Sequence, residues 1–142
     1  MAKTLRVDIV SPSGSVFRGE ATGIRAPGVE GSFEVLYNHA PMIAAFEVGP
    51  LFVTTTSGDK VVFATSGGFL EVLDNDVTVL AETAEPGSEI DVERAREAEE
   101  RAIEALRNVS PEERAKYEAA RERARNRLRI AMGQVGSPKP GV

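Results

Sequence analysis

The sequence predicts an α+β protein with two domains, an N-terminal antiparallel β-sandwich followed by a C-terminal antiparallel hairpin of two helices. Short apolar stretches recur at roughly ten-residue spacing up to residue 86, which is typical of an all-β sandwich or barrel. Beyond residue 87, Glu, Ala and Arg dominate, and these residues favour helices. The charge changes near the same place, since residues 1–89 hold 5 basic and 12 acidic side chains whereas residues 90–142 hold 12 and 10. This asymmetry indicates two units with different partners.

The first strand is predicted by alternation, because Leu5, Val7 and Ile9 are apolar at every second position. The turn residues 11–14 follow it. Six further apolar stretches, each bounded by turn residues, are predicted as strands: residues 16–17, 21–26, 51–56, 61–65, 69–73 and 77–81. About 85 residues of this kind are enough to bury one two-layer core.

The clearest hairpin joins residues 51–56 to residues 60–65 through Ser57-Gly58-Asp59, a Gly-containing turn between two β-branched runs. Gly49-Pro50 and Gly67-Gly68 are expected to bound strands, the latter as a bulge or a turn. Gly67-Gly68 does not resemble a phosphate-binding loop, because no lysine follows it and the next element is a strand.

The first helix is predicted to begin after Asp91, a plausible N-cap, and to end near Arg107. The predicted domains are a sandwich over residues 1–86 and a helical hairpin over residues 87–133. Residues 134–142 are predicted to be a disordered tail, because Gly and Pro recur there.

The second helix is predicted from a different set of signals. Ser110 is its expected N-cap, Pro111 lies in the first turn and Glu113 closes a capping box. The helix is expected to end near Gly133. The short link between the two helices predicts an antiparallel hairpin.

Alanine dominates the apolar faces of both helices. The stripes are Ala95, Ala98, Ala102, Ala105 and Leu106 in the first helix, and Ala115, Ala120, Ala124, Leu128 and Ala131 in the second. Burying an alanine methyl gains about 0.8 kcal/mol, against about 1.5–3 kcal/mol for a leucine-sized side chain. Ordering each residue's backbone costs about 1–2 kcal/mol. The hairpin is therefore predicted to dock marginally and to be a mobile element that a ligand or partner can release.

The composition argues against several classes of protein. Without cysteine there is no disulfide, thiolate metal site or thiol nucleophile, and a single histidine, His39, argues against a multi-histidine centre or a histidine triad. No apolar run is long enough to span a bilayer, and residues 1–6 lack the apolar core of a secretory signal, so a cytosolic chain is expected. No convergent acid, base or nucleophile indicates an enzyme, and no set of acidic residues has metal-ligand spacing.

Five arginines occupy every second position of the second helix: Arg121, Arg123, Arg125, Arg127 and Arg129. Arg123 and Arg127 share one face of the helix, and the other three share another. An ordinary solvated face near a helix C-terminus is the simplest explanation. Nucleic acid is not expected, because no aromatic residues are interleaved and the acidic first half would repel phosphates. An acidic protein surface or a compact polyphosphate fits this helix better.

Several blocks, taken in order, resemble the epsilon subunit of F-type ATP synthase over nearly the whole chain. The blocks are Val10-Ser11-Pro12, Val16-Phe17-Arg18-Gly19-Glu20, Pro27-Gly28-Val29-Glu30-Gly31-Ser32-Phe33, Asn38-His39-Ala40-Pro41-Met42-Ile43, Gly67-Gly68-Phe69-Leu70-Glu71-Val72, Asn75, Val77-Thr78-Val79-Leu80-Ala81 and Ile90-Asp91-Val92-Glu93-Arg94-Ala95. No single block is decisive, but the ordered set is highly specific. Glu34 and Tyr37 replace a glycine and a proline expected in that loop, where a contact with the rotor is expected.

The resemblance implies a non-catalytic role in the central rotor of ATP synthase. The sandwich would sit on the gamma subunit and the membrane-embedded c-ring, coupling proton flow to ATP synthesis. The hairpin would fold against the sandwich or extend toward the alpha and beta subunits, where it impedes ATP hydrolysis. The resemblance therefore implies a peripheral protein at the cytoplasmic face of the bacterial plasma membrane.

Two sets of contact residues follow from the resemblance. The rotor contacts are Glu30, Asn38, His39 and Met42, and the contacts of an extended hairpin with the catalytic head are Arg121, Arg125 and Arg129. For His39 the alternative is a loop histidine that hydrogen-bonds its own turn.

Some members of that family bind ATP through an Ile/Leu-Asp-x-x-Arg-Ala motif and arginines of the second helix. The matching residues are Glu85, Ile90, Asp91, Arg94, Ala95, Arg123 and Arg127. Arginines on two helices can clamp a triphosphate only when the hairpin is closed, so a regulatory ATP, with or without Mg, would stabilise that state. No cofactor is otherwise required. The alternative is that Asp91 only caps its helix and Arg94 pairs with a nearby carboxylate.

Two other functions stay open. A stand-alone ATP-sensing module would fold its hairpin on nucleotide binding without a gamma partner. An enzyme with a β-sandwich core would require measurable turnover by the purified chain.

Overall fold

In the computed structural model, which describes residues 3–134, seven strands precede two helices. The strands are Leu5–Ser11 (β1), Gly14–Ala26 (β2), Phe33–Leu36 (β3), Met42–Thr55 (β4), Lys60–Leu73 (β5), Asp76–Ala81 (β6) and Ala84–Pro86 (β7). A short 3-10 turn, Gly87–Glu89, leads into the helices Val92–Leu106 (α1) and Arg114–Ala131 (α2). The predicted fold class, a β-sandwich followed by a helical hairpin, is confirmed.

Five strands form a closed ring in the order β1, β2, β4, β5 and β6, and β6 pairs with β1 again. β3 pairs with β2, and β7 pairs with β5. A ring of five strands cannot alternate in direction all the way round, so one neighbouring pair must run parallel. That pair is β1–β6, where an antiparallel pairing was expected, and the other pairings between these strands are antiparallel.

The core of the sandwich follows the alternation of the sequence. Leu5, Val7 and Ile9 are at most 1% exposed, and they point into a core whose members all come from strands. Phe63 lies in the same core and meets Phe17 edge-on, with ring centroids 5.7 Å apart. Because no helical residue belongs to this core, the sandwich has a hydrophobic core independent of the hairpin.

The predicted hairpin of residues 51–65 is confirmed, but its two strands are longer than expected. Thr54 pairs with Lys60, and the pairing continues past Gly49-Pro50 on β4 and, after a gap at Glu47 and Gly67, resumes at Gly68 on β5. The prediction that these pairs end strands was wrong. At Gly68, where φ is +155°, a Cβ atom would lie 2.0 Å from the Leu80 carbonyl oxygen, so glycine allows close packing between strands here.

The start of α1 is as predicted, whereas the start of α2 is not. Asp91 caps α1, its carboxylate accepting a hydrogen bond from the Arg94 backbone N–H at 3.1 Å. The predicted capping box at Ser110 is wrong, because Glu113 precedes α2 and makes no side-chain cap. Instead, the Glu113 N–H donates to the Ser110 carbonyl at 3.1 Å, closing a separate turn. Pro111 fits this turn equally well, because a helix's first residue and a type I turn need the same φ.

The C-terminal end of α2 lies close to its predicted position. The helix ends at Ala131, and Gly133 follows in the left-handed conformation with a φ of +68°. The predicted disordered tail falls almost wholly on residues 135–142, which lie outside the described residues.

α2 is the helix that packs on the sandwich, against β4 and β5. A second apolar cluster joins the domains and consists of Ala64, Ile90, Ala95 and Ile130, with Val62, Leu128 and Ala131 around it. The largest buried side chains here are two isoleucines, whereas the sequence analysis expected an alanine stripe to hold the hairpin. Neither isoleucine was included in that stripe.

Candidate functional site

A cavity of about 650 Å³ lies where the hairpin meets the sandwich. Its walls come from β5, from the segment around β7 and from both helices. The lining residues are Ala64, Thr65, Ser66, Thr83, Ala84, Glu85, Ala98, Arg101, Ala102, Tyr117, Ala120, Arg123, Ala124, Asn126 and Arg127. Because both domains contribute, the cavity exists only while the hairpin is docked.

The charged side chains of the cavity wall are predominantly basic. Arg101, Arg123 and Arg127 line it, and Glu85 is the acidic residue of the lining. The Arg127 Nε donates to a Glu85 carboxylate oxygen, and the two side chains are 30% and 35% exposed. With three guanidinium groups and one carboxylate, the cavity carries an excess positive charge that favours an anionic ligand.

The structure brings only part of the predicted ATP-binding set to this cavity. Ile90 and Ala95 are buried in the apolar cluster beside it, where they hold α1 and its leading turn in place. Asp91 caps α1, as the alternative interpretation expected. Arg94 is exposed, and its side chain makes no ion pair within residues 3–134, so the expected pairing with a carboxylate is absent there.

Among the residues of the cavity wall that sequence reasoning missed are Arg101, Tyr117 and Asn126. Arg101 lies beside Ala98 and Ala102 of the alanine stripe, so helical periodicity alone could have placed it near the hairpin's inner face. Tyr117 adds an aromatic ring to the lining. Its position gave no distinctive signal in the sequence.

The three arginines predicted to contact a catalytic head have different environments. Arg125 donates from Nε to Glu99 on α1 at 2.8 Å, and the pair is partly buried. The Nε of Arg121 is buried and has no hydrogen-bond partner among the described residues. Arg129 is exposed. In the docked hairpin, therefore, Arg129 is the most accessible of the three and Arg125 is engaged by α1.

The predicted rotor contacts lie in two loops and at the start of β4. Glu30 and Asn38 are exposed, whereas His39 is half-buried and its Nδ1 lies 2.8 Å from the Ala40 carbonyl oxygen. The histidine thus hydrogen-bonds its own turn, as the alternative interpretation expected. Met42 packs against the sandwich core but is only partly buried, so part of the Met42 side chain remains accessible.

The loop that carries Asn38 is fixed to the β5–β6 turn. Asn38 has a φ of +65°, its N–H donates to the Asn75 Oδ1 at 2.6 Å, and the Asn75 amide donates back to the Asn38 Oδ1 at 3.2 Å. Glu34 and Tyr37, the two departures from the expected pattern, are both exposed beside this loop. The reciprocal asparagine contact therefore presents the loop in one conformation.

An exposed apolar face on the sandwich was not anticipated from the sequence. Ile43, Phe69, Leu73 and Leu80 are 51–70% exposed. They lie on β4, β5 and β6 and point outward on one face, where Phe69 is directly opposite Leu80 and the exposed Glu71 lies opposite Ile43. Phe69, Leu73 and Leu80 lay in predicted strands and Ile43 lay outside them, and only the strand register places the four together.

Besides Glu71 within the face, the border of this apolar face carries charge. Asp76, opposite Leu73 in the register, pairs with Arg6 of β1. The hydrogen bond from Arg6 lowers the pKa of the Asp76 carboxyl and raises that of the Arg6 guanidinium. Asp76 therefore remains a carboxylate to lower pH than an isolated aspartate.

Two negative findings apply to the described part of the chain. Neither of the helices within residues 3–134 is long and apolar enough to cross a membrane. The same residues contain no group of three or more His, Asp or Glu side chains placed to hold a metal ion.

The comparison with family models covers nearly the whole chain. Residues 4–87 match the β-sandwich domain of the ATP synthase delta/epsilon chain, and residues 88–132 match the long α-helix domain of the same chain. The chain is 62% identical to the ATP synthase epsilon chain of Salinibacter ruber over 146 residues, which cover 96% of this chain and 98% of the relative. It is 45% identical to the epsilon chain of Syntrophomonas wolfei, over 90% of this chain and 94% of that one.

Among solved structures, a chain of the Euglena gracilis mitochondrial ATP synthase matches with a TM-score of 0.80 at 25% identity, over 93% of this chain and 83% of its own length. A chain of the Tetrahymena thermophila mitochondrial ATP synthase, at 15% identity and a TM-score of 0.66, shares the fold. The sequence matches span both domains in the order in which the structure has them. The chain therefore belongs to the ATP synthase delta/epsilon chain family, whose members are non-catalytic subunits.

Proposed function

We propose that the chain is a central-stalk subunit that sits on the gamma subunit and the c-ring and couples proton flow to ATP synthesis. The observation that carries this proposal is the outward apolar face of a sandwich that has its own closed core. A rigid domain with four large apolar side chains on one face is suited to permanent contact with another protein. The Euglena relative is part of an assembly of F1 and the c-ring, which supports the same role.

The apolar face of Ile43, Phe69, Leu73 and Leu80 is assigned to gamma, because a flat apolar face needs a broad protein surface to cover it. The exposed loops with Glu30 and Asn38 are assigned to the c-ring. Contact through these partners would hold the chain at the cytoplasmic face of the bacterial plasma membrane, without a span of its own.

Reconstitution with gamma tests the assignment. Phe69→Glu removes the aromatic ring opposite Leu80 and adds a second carboxylate to the face that carries Glu71, so it is expected to weaken co-purification with gamma by at least about tenfold. Met132→Glu is the matched control, since Met132 is 51% exposed but lies beyond the end of α2. Equal binding by both variants would place the gamma contact elsewhere. If the unmodified chain does not bind gamma, the stand-alone ATP-sensing module becomes the favoured hypothesis.

We further propose that the hairpin regulates ATP hydrolysis, docking on the sandwich in one state and extending toward the alpha and beta subunits in the other. The small apolar cluster between the domains supports a reversible contact. Arg125 is paired with Glu99 of α1, so extension alone would not free it unless the two helices also separated. Arg129 and Arg121 would therefore make the first contacts with the acidic surface of the catalytic head. Deleting residues 90–142 is expected to leave assembly intact and to raise hydrolysis; loss of assembly would mean that the hairpin is structural.

The cavity supports a regulatory nucleotide as the ligand of the docked state. Arg101, Arg123 and Arg127 provide guanidinium groups from both helices for a triphosphate, and both domains close around them. ATP would bind only the docked form and so stabilise it. Arg94, exposed on α1, would reach the nucleotide only by a change of rotamer.

Calorimetric titration of the purified chain with Mg-ATP tests this site. Arg127→Ala is expected to abolish binding and Arg123→Ala to weaken it. Arg107→Ala is the matched control, since Arg107 is exposed at the end of α1 and, within residues 3–134, pairs with Glu104 alone. Unchanged affinity in Arg127→Ala would place the nucleotide outside the cavity.

A further inference from the structure

Asn126 is a polar residue in the face of α2 that packs on the sandwich. It is 7% exposed, and the other buried residues of the helix are Ala124 and Ile130. A carboxamide in an apolar interface is costly unless hydrogen bonds replace those that it made to water. Its retention at this position therefore depends on the groups that it meets across the interface.

Those groups are two backbone carbonyls of the sandwich. The Asn126 Nδ2 donates to the Gly49 carbonyl at 3.1 Å and to the Thr65 carbonyl at 3.4 Å. Gly49 and Thr65 are partners across β4 and β5, so both acceptors lie at one position of the sheet. The Thr65 hydroxyl, also buried, donates to the same Gly49 carbonyl at 3.2 Å.

The chemistry of the amide fixes its orientation. The nitrogen carries two protons, which matches two carbonyl acceptors, whereas the amide oxygen in its place would face two other oxygens. The contact is also independent of any particular side chain on the sandwich, because both acceptors belong to the backbone. It therefore recognises a position on the sheet.

The alanines of α2 do not fix the position of the helix by themselves. Ala120, Ala124 and Leu128 recur every four residues, so a slide by one turn of about 5.4 Å would still bury small apolar side chains there, although it would move Ile130 out of its cluster. After such a slide the Asn126 amide would be buried away from both carbonyls. A single buried polar group that is satisfied in only one arrangement selects that arrangement.

We propose that Asn126 is a polar latch, a positioning residue that sets where α2 docks on the sandwich and how much of the chain is docked. In the docked state the two N–H groups of its amide donate hydrogen bonds to the Gly49 and Thr65 carbonyls, and in the extended state they donate to water. The proposal rests on the proposed exchange between docked and extended hairpins and names the residue that controls it. It also places the latch in the wall of the cavity, so a docked and latched hairpin is the form that has a complete cavity.

Because the chain contains no cysteine, the test can use a pair of spin labels without removing native thiols. Labels at Thr56→Cys, beside the β4–β5 turn, and at Ala119→Cys, on α2, are both at exposed positions. Pulsed dipolar spectroscopy of the full chain then gives the distance distribution between the domains. The unmodified pair is expected to give one dominant distance.

Two variants of this labelled chain test the latch. Asn126→Asp removes both donors and sets carboxylate oxygens against two carbonyls, so the ratio of docked to undocked chain is expected to fall by at least about tenfold. Asn126→Ala removes the amide without adding charge and is expected to lower the ratio several-fold. Asn108→Asp makes the same chemical change at an exposed position beyond α1 and is expected to leave the distribution unchanged.

A distance distribution for Asn126→Asp that matches the unmodified chain would overturn the proposal. Alanine is the best helix former, so Asn126→Ala cannot lose docking through loss of α2 itself, and circular dichroism checks that its helix content is kept. If Asn126→Ala stays fully docked, the latch is wrong even if the aspartate variant misfolds. Because the isolated chain is used, either result is independent of whether the chain assembles with gamma.

Discussion

Replacing Ile130 by alanine removes three carbon atoms from the cluster that joins the helical hairpin to the sandwich. Ile130 is 5% exposed and packs with Ile90, Ala64 and Ala95. Two of these neighbours are alanines, which contribute little contact area. Ile130 therefore supplies a large share of the apolar contact that keeps α2 on the sheet.

The expected cost follows from the atoms removed. Three carbons at about 0.8 kcal/mol each give about 2.4 kcal/mol of lost transfer free energy. A residual cavity would raise this toward the upper part of the range of about 2–5 kcal/mol that such substitutions cost. At the lower figure the ratio of docked to undocked hairpin falls about fifty-fold. The sandwich core contains no helical residue, so its own stability should not fall by this amount.

Amide hydrogen exchange measures the two domains separately in one experiment. In Ile130→Ala, protection of the α2 amides is expected to fall about fifty-fold, while the most protected amides of β1 and β5 keep their rates. Met132→Ala is the control, because Met132 is 51% exposed and a comparable truncation there should change neither domain. Equal loss of protection in the strands would refute the argument, since it would mean that the two domains unfold as one unit. Unchanged protection in α2 would show that packing at Ile130 does not hold the hairpin.

Three further substitutions test other contacts. Gly87→Ala sets a Cβ within 2.9 Å of two stiff, branched side chains on α2 and β5, so it should weaken docking by about 1–3 kcal/mol; unchanged exchange in α2 would contradict this. Gly68→Ala sets a Cβ 2.0 Å from the Leu80 carbonyl oxygen and should lower the melting temperature of the sandwich by at least about 10 °C, whereas a shift within about 2 °C would disprove the clash. Arg6→Gln should raise the pKa of the Asp76 carboxyl toward its ordinary value of about 3.9, measured by carbon NMR titration. The paired carboxylate stabilises the fold above that ordinary pKa and loses its contribution as the pH falls through the lowered one, and an unshifted pKa in the variant would mean that Arg6 is not the cause.

Features governed by neighbouring residues could be predicted from the sequence. The alternation of Leu5, Val7 and Ile9 identified a half-buried strand, and Asp91 identified the start of α1, because side-chain alternation and capping act over a few residues. The hairpin of residues 51–65 was predictable for the same reason. The capping box at Ser110 failed because the same residues also suit an isolated turn, and only the packing of the following helix decides between them.

The predicted site shows the same division. The motif residues and the α2 arginines were recognisable in the sequence, but which of them share a space was not. Arg127 meets Glu85 in the cavity, whereas Arg94 faces solvent. Arg101 lines the cavity only in the assembled fold, where both helices and β5 form its walls.

The sequence by itself therefore determined the two domains, their order, their opposite charge balance and the family that the chain resembles. The tertiary structure decided that β1 closes the ring in parallel with β6, that Phe69 and Leu80 share an exposed face, and that Ile130 and Asn126 hold the hairpin. These features join residues far apart in the chain, and each depends on strand register or helix position. A local pattern specifies which face of an element is apolar, but only the assembled fold specifies what that face meets.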